Sequence, residues 1–243
     1  MRDDRTIGLV VPFATDKIPD EGRRMYPDVR FLARGVGVRS LTPTGYDGAW
    51  EGILPAAEHL AQQDVAAIMV IGTSLTFYRG YEAHQELLEQ LRRETGLPVS
   101  TMTEAVVDGL KSVGAKRIAV ATAYADDVNQ RLKAFLSAYG FEVLALEGFG
   151  LFGFGEPDKK SEADIIALGS RVCAKAPAAQ ALLISCGGLR TLDVANPLET
   201  RHRIPVVSST QAAFWAALRL VGASGHVAGR GRLLQQPATA PVH

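Results

Sequence analysis

The sequence predicts an α/β protein of two pseudo-symmetric lobes, each a small parallel sheet flanked by helices, with a site in the cleft between them. Short apolar runs such as 67–71 and 181–184 are typical of strands buried on both faces. Segments with apolar residues at helical spacing, such as 81–95, lie between these runs. Strands that alternate with helices along a chain favour parallel sheets covered by helices.

An internal repeat predicts that there are two lobes. The segments that match in character are 6–13 with 117–124, 67–75 with 181–189, and 97–101 with 204–208, each at an offset of about 110 residues. We therefore expect an N-terminal lobe over 1–115 and a C-terminal lobe over 116–225, between which the chain can cross. Residues 226–243 are rich in Gly, Arg, Gln, Pro and Ala, and we expect a loosely ordered tail there.

Local patterns predict the individual elements. In the first half, the expected strands are 6–11, 35–41, 66–71 and 98–101, and the expected helices are 47–63, 81–95 and 104–113. Gly114 is expected to cap the last of these helices, because glycine readily adopts the left-handed conformation at a helix C-terminus. In the second half, Asp126 and Asp127 are expected to begin a helix, where carboxylates suit the positive end of the helix dipole.

Composition excludes several classes of function. The chain has 243 residues, of which 47% are hydrophobic and 21% charged, as in a globular protein with an ordinary core. The 26 basic and 26 acidic residues give a net charge of zero, so neither nucleic acid nor a membrane surface is indicated as a partner. No apolar run approaches the roughly 18 residues of a membrane span, and the N-terminus does not resemble a signal peptide. We therefore expect a cytoplasmic protein.

Metal and nucleotide motifs are weak or missing. The two cysteines form no C-x-x-C pair, and the five histidines have no metal-binding spacing, so we expect neither disulfide nor metal. Residues 148–153 match G-x-G-x-x-G, but Gly155 and Pro157 follow where a dinucleotide site needs a helix. We therefore expect no dinucleotide site.

One thiol is the strongest candidate for chemistry. Cys186 follows the buried run 181–185, and Gly187 and Gly188 after it leave the backbone open to a ligand. Ligands of open α/β sheets bind at the carboxyl ends of the strands. The alternative is that Cys186 is a small core residue, which is the interpretation we give to Cys173 in its apolar helical pattern.

The repeat relates Cys186 to a residue without a thiol. Gly72 is its counterpart in the first half, and Thr73 and Ser74 follow it, either as site residues or as caps of the next helix. A thiol in each half would allow proton transfer on both faces of a carbon. A thiol in one half predicts proton transfer on one face only.

Four motifs resemble one known family. They are Gly72-Thr-Ser-Leu-Thr-Phe-Tyr-Arg-Gly80, Ala121-Thr-Ala-Tyr-Ala-Asp-Asp-Val-Asn129, Ser185-Cys-Gly-Gly-Leu-Arg-Thr-Leu-Asp193 and Val206-Val-Ser-Ser209. Together they resemble the arylmalonate decarboxylase family of the aspartate/glutamate racemase and maleate isomerase superfamily, over residues 6–235. Most members of the superfamily carry two active-site cysteines, whereas this family has glycine at the first. Gly72 with Cys186 matches that pattern.

The resemblance implies a reaction and a set of site residues. The implied reaction is cofactor-free decarboxylation of an α-aryl malonate to one enantiomer of the monoacid, with a small aryl dicarboxylate as the partner and a monomeric enzyme. Cys186 is the implied proton donor, and Thr73, Ser74, Tyr124 and the backbone at Gly187 are the implied oxyanion donors. The implied substrate pocket consists of Pro12, Val38, Leu41, Tyr46, Gly72, Leu75, Phe154 and Pro157.

Two departures from the family pattern and two rival functions stay open. Val11 stands where a first proline of a pair is expected, and Phe154 where a smaller aliphatic residue is expected, so one pocket should be narrower. Tyr124 has the alternative of being an ordinary core aromatic. The rival functions are a racemase or cis–trans isomerase of a small carboxylate, and a non-catalytic protein that binds small acids.

Overall fold

Two four-stranded parallel sheets form the framework of the molecule. The computed structural model describes residues 6–236. The strands are β1 (Ile7–Val11), β2 (Phe31–Gly35), β3 (Ala67–Val70), β4 (Val99–Thr101), β5 (Arg117–Tyr124), β6 (Glu142–Leu151), β7 (Ala181–Ser185) and β8 (Val206–Ser208). The sheets have the same strand order, β2-β1-β3-β4 in the first and β6-β5-β7-β8 in the second. This arrangement confirms the predicted α/β class of two lobes.

Helices connect the strands and cover the sheets. They are α1 (Asp20–Met25), α2 (Pro43–Glu51), α3 (Ile53–Ala61), α4 (Thr73–Phe77), α5 (Tyr81–Thr95), α6 (Met102–Ser112), α7 (Asp126–Ala138), α8 (Glu162–Lys175), α9 (Ala195–His202) and α10 (Ser209–Leu220). As expected, α7 begins with Asp126 and Asp127, and Gly114 adopts a left-handed conformation, with φ of +73°, just beyond α6. None of the helices in the described part of the chain is long and apolar enough to span a membrane.

The strands β1, β3 and β7 form the core because their side chains are apolar or small. Every residue of β1, β3 and β7 is buried. The parallel registers Ile7↔Ala67 and Ile118↔Ala181 align the strands so that their carboxyl ends reach the same edge of each sheet. The segments after β3 and β7, which carry Gly72 and Cys186, therefore start from equivalent positions of the two sheets.

The strand predicted over 35–41 lies earlier, in β2. Its parallel ladder with β1 ends at the pair Val11↔Gly35. The next residue of β1 would be Pro12, which has no backbone N–H to continue the ladder. Residues 36–38 instead donate irregular hydrogen bonds to the carbonyls of Val11, Pro12 and Phe13. Val36 and Val38 lie outside the regular sheet, on either side of Gly37, whose φ is +69°.

The single helix predicted over 47–63 is two helices. The first, α2, ends at Glu51, and α3 begins at Ile53 after Gly52. Pro55 explains the break, because a proline has no N–H to bond the carbonyl of Glu51 one turn back. The break lets α2 turn Tyr46 inward, where its side chain is 1% exposed.

The end of the chain differs from the expected loose tail. Val227 N–H donates to the Leu234 carbonyl, and residues 232–235 form a 3-10 turn. Leu233 and Leu234 are fully buried, and the buried Glu199 carboxylate accepts the Arg232 N–H. The two adjacent buried leucines explain why this segment is ordered, which its composition did not indicate. Residues 237–243 lie outside the described part of the chain.

The two halves interlock through one helix of each. Helix α10 belongs to the second half of the chain, yet it packs on β3 and β4 of the first sheet and along α6. Helix α6 in turn contacts β8 of the second sheet. The cleft between the strand ends is thus closed on one side by the pair α6 and α10.

Candidate active site

A cavity of about 420 Å³ lies between the carboxyl ends of the two sheets. Both halves contribute to its wall: Pro12 follows β1, Gly72 follows β3, and Cys186 follows β7. The predicted site residues that line it are Pro12, Val38, Leu41, Tyr46, Gly72, Thr73, Ser74, Leu75, Phe154, Pro157, Cys186 and Gly187. Tyr124 is fully buried behind this wall and reaches Cys186 and Ser74 from below. The structure thus brings together residues that are far apart in the sequence.

The Cys186 thiol is held in its protonated form. It follows β7 and is 6% exposed, and the Gly188 N–H donates to its Sγ at 3.4 Å. Burial raises the pKa of Cys186 to about 11, although the Gly188 N–H and the Tyr124 hydroxyl lower it. The uncharged thiol is therefore the dominant form at neutral pH, as a proton donor requires.

Tyr124 is a neutral hydroxyl donor that lies behind the wall of the cavity and does not line it. It ends β5, its ring contacts Phe77 edge-on at 5.8 Å between centroids, and the Asn129 amide donates to its carbonyl. Its hydroxyl lies 3.5 Å from the Ser185 Oγ. Burial raises the pKa of Tyr124 well above its ordinary value. The group therefore stays protonated throughout the physiological range.

Tyr46 brings a second buried hydroxyl to the same place. Its hydroxyl oxygen is buried without a hydrogen-bond partner of good geometry in the described structure. Burial raises the pKa of Tyr46, whereas the nearby Ser74 hydroxyl lowers it. Leaving a buried hydroxyl unpaired costs free energy, so an oxygen atom of a ligand in the cavity would relieve that cost.

The Gly72-Thr73-Ser74 corner turns the chain sharply from β3 into α4. Gly72 has φ of +127°, a conformation that strains residues with a side chain. Neither Thr73 nor Ser74 forms a side-chain cap of α4, so the capping alternative is wrong. The Thr73 hydroxyl donates to the Ser209 Oγ at 2.8 Å, which ties this corner to the start of α10.

The sequence interpretation missed several residues of the cavity wall. Phe13, Lys17, Glu21, Arg190 and Thr210 also line it. The segment that carries the first three, between β1 and β2, reads as a polar linker, and its only signal was its position after a buried strand. Phe13 and Phe154 come from opposite halves, and their rings meet edge-on at 6.0 Å.

Phe154 stands at the opening of the cavity, where its side chain is 37% exposed. Within residues 6–236, no group of three or more His, Cys, Asp or Glu side chains is arranged to hold a metal ion. Cys173, interpreted as structural, is buried in α8 and does not line the cavity.

Two parallel sheets whose strand ends face a shared cavity, with one thiol and several hydroxyls at its wall, define a two-lobed α/β protein with a candidate active site between its halves. A model of the arylmalonate decarboxylase family matches residues 7–234. The chain is 42% identical to the arylmalonate decarboxylase of Bordetella bronchiseptica, over 95% of this chain and 97% of that protein. This chain belongs to the arylmalonate decarboxylase family, and it is a decarboxylase, a carbon–carbon lyase.

Two further relatives match nearly the whole chain. A solved variant of arylmalonate decarboxylase in its liganded form has a TM-score of 0.92 and 41% identity, covering 94% of this chain and 98% of that one. In that variant a glycine is replaced by cysteine and a cysteine by serine, at positions separated by the same number of residues as Gly72 and Cys186. The maleate isomerase of Nocardia farcinica is 30% identical over 96% of both chains.

Proposed function

We propose that this protein decarboxylates α-aryl-α-substituted malonates to one enantiomer of the 2-arylcarboxylic acid, and that it does so without a cofactor. Family membership supports the substrate class. The observation that carries the proposal is the buried, protonated Cys186 beside the neutral hydroxyls of Ser74 and Tyr124, with Gly72 at the equivalent position of the other half.

The first step breaks the bond between the α-carbon and one carboxylate carbon. The electron pair of that bond stays on the α-carbon and spreads into the retained carboxylate, which becomes an enediolate as CO₂ leaves. Ser74, Tyr124 and the backbone N–H groups of Ser74 and Gly187 donate hydrogen bonds to its two oxygens, and the Thr73 hydroxyl joins them by turning away from the Ser209 Oγ. A single well-placed donor of this kind lowers a barrier by about 3 kcal/mol, so several together supply a large share of the catalysis.

The leaving carboxylate lies against apolar side chains. Leu41 and Val38 are buried in the wall of the cavity, and Pro157 is part of the same wall. Apolar surroundings solvate a charged carboxylate poorly but tolerate neutral CO₂. They therefore favour the loss of the carboxylate group as CO₂.

The second step protonates the planar enediolate. The Cys186 S–H bond breaks, its proton forms the new C–H bond at the α-carbon, and the enediolate returns to an ordinary carboxylate. The thiolate left on Cys186 then takes a proton from water. With Gly72 on the other side, one face alone meets an acid, and a single enantiomer forms.

The test measures CO₂ release from phenylmalonate and α-methyl-α-phenylmalonate by the purified protein with no cofactor added. Cys186→Ser should lower kcat by at least about 100-fold, because a serine hydroxyl is a far weaker acid than a thiol. Cys173→Ser, the matched control at the other cysteine, should keep the rate. Full activity of Cys186→Ser would show that the proton comes from elsewhere.

A racemase or isomerase is the rival that the relative from Nocardia farcinica suggests. Incubation with maleate and with single enantiomers of aspartate separates it from a decarboxylase. Turnover of any of these without CO₂ release from the malonates would replace the proposal. Ligand-dependent thermal stabilisation without any turnover would indicate a protein that only binds small acids.

A further inference from the structure

A buried carboxylate ties the first half of the chain to the segment that carries Cys186. Glu21 lies in α1 and is 9% exposed. One of its oxygens, Oε1, accepts the Thr191 N–H at 2.7 Å and the Leu192 N–H at 2.6 Å. The other, Oε2, lies 3.4 Å from the Thr191 hydroxyl. These partners follow Cys186 by five and six residues in the chain.

The segment between Cys186 and Leu192 has other contacts as well: Arg190 donates to the Asp158 carbonyl at 2.8 Å, and the Thr191 hydroxyl donates to the Ser208 Oγ at 2.9 Å. The Leu189 N–H closes a turn onto the Cys186 carbonyl, and the Thr210 hydroxyl donates to the Gly187 carbonyl at 3.3 Å. At its far end, Gln211 donates to the Thr191 carbonyl. The two N–H groups that point toward α1 are satisfied by Glu21. Because both N–H groups converge on one buried carboxylate oxygen, Glu21 fixes the end of the segment that follows Cys186.

Helix α1 is itself fixed by contacts that do not involve the Glu21 carboxylate. A side chain at Gly22 would lie 2.1 Å from the Phe214 ring, so α1 rests directly on α10. The Tyr26 hydroxyl donates to the Gly225 carbonyl at 2.6 Å. Glu21 therefore links a fixed helix at the cavity wall of the first half to the turn of the second half that carries Cys186.

We propose that Glu21 is a positioning residue for Cys186, whose carboxylate fixes the thiol relative to the face of the enediolate that it protonates. This inference rests on the proposed function. Releasing the turn lets the thiol move away from the α-carbon and lets water supply protons to either face. A misplacement of about 1 Å is enough to cost about 100-fold in rate. Turnover and enantiomeric purity should both fall, while substrate binding changes little.

The test compares Glu21→Ala with Glu21→Gln and with Arg23→Ala, an exposed residue of the same helix outside the cavity. With α-methyl-α-phenylmalonate, Glu21→Ala should lower kcat about 10- to 100-fold and lower the enantiomeric excess, with KM within threefold of the parent protein. Glu21→Gln should keep most of the activity, because its amide oxygen still accepts both N–H groups. Arg23→Ala should match the parent protein. Unchanged kcat and enantiomeric excess in Glu21→Ala would overturn the proposal, whatever its melting temperature.

Two further measurements cover other outcomes. If Glu21→Ala does not fold, Glu21→Asp places the carboxylate one methylene short and should lower kcat about 3- to 10-fold together with the enantiomeric excess; parent values would overturn the proposal. If the parent protein releases no CO₂, iodoacetamide alkylation of Cys186 in a Cys173→Ala background tests the same contact. Alkylation should be at least threefold faster in Glu21→Ala, and an equal rate would overturn the proposal.

Discussion

The chemistry of the site depends on single residues that burial keeps uncharged. Cys186, Tyr124 and Tyr46 share one cause for their raised pKa, which is the loss of water around the charged form. An anionic intermediate among protonated donors is stabilised, whereas a thiolate or phenolate in the same place would repel it. The site is therefore suited to an anion that exists briefly.

The pKa of Cys186 can be read from its reactivity. Alkylation requires the thiolate, so with a pKa of about 11 the rate should rise about tenfold per pH unit from pH 7 to pH 10 without levelling off. An ordinary thiol would level off near pH 9. The measurement is iodoacetamide labelling followed by mass spectrometry in a Cys173→Ala background. A plateau below pH 9 would contradict the pKa of about 11 that burial gives this thiol.

Phe154 should set the size of the accepted aryl group. Phe154→Val removes a ring that meets Phe13 across the opening of the cavity, so kcat/KM for 2-naphthylmalonate should rise several-fold relative to phenylmalonate. Stability should fall by about 1 kcal/mol, the value of one aromatic pair. Phe152→Val is the matched control, because Phe152 is 60% exposed and does not line the cavity. An unchanged ratio of the two substrates would show that the ring does not restrict the pocket.

Residues at strand ends were predictable, and residues on the linker were not. Gly72, Cys186 and Tyr124 follow buried strands, and the repeat together with the family motifs indicated where those strands meet. Glu21 and Phe13 lie in a polar segment without periodicity, and their partners, the backbone at Thr191 and the Phe154 ring, are distant in the sequence. Contacts of that kind leave no local pattern.

Among the elements, the turn from β3 into α4 decides how many acids the cavity holds. Gly72→Cys should place a second thiol opposite Cys186 and add slow racemisation of 2-arylpropionates. Its stability should fall by about 1–3 kcal/mol, because φ is +127° and the new Cβ lies 3.2 Å from Leu75. Chiral chromatography of a single enantiomer after incubation measures the exchange.

Gly72→Ala is the control for that experiment, since it carries the same backbone strain without the thiol. It should show the loss of stability and no racemisation. If optical purity also stays unchanged with Gly72→Cys, the two strand ends do not face the same carbon, and the symmetry argument is wrong.

Element boundaries failed where proline acts through a missing N–H. Pro12 ends the ladder between β1 and β2 and leaves residues 36–38 outside the regular sheet. Pro55 divides the predicted helix 47–63 at Gly52. Helix α5, which has neither proline nor glycine, was predicted with its observed ends, 81 and 95. Local propensity was sufficient where no such break intervened.

At the scale of the whole molecule, the packed end of the chain should contribute to stability. Leu233→Ala should lower the free energy of unfolding by about 2–5 kcal/mol, because the side chain is fully buried near Gly109 and Val207. Urea denaturation measures the loss, and His226→Ala, an exposed neighbour, should change it by less than about 0.5 kcal/mol. A loss below 1 kcal/mol for Leu233→Ala would show that this segment is dispensable for the fold.

The interlocked pair α6 and α10 has a consequence for how substrate enters. Because α10 packs on the first sheet and α6 contacts the second, a hinge motion that separates the two halves would disrupt the core. The width of the gap between them is therefore set when the protein folds, before any substrate arrives. Substrate entry and product release therefore depend on the short loops at the rim, where Phe13 contacts Phe154. In an enzyme built this way, substitution of a few rim side chains changes the substrate preference, while the chemistry beneath stays the same.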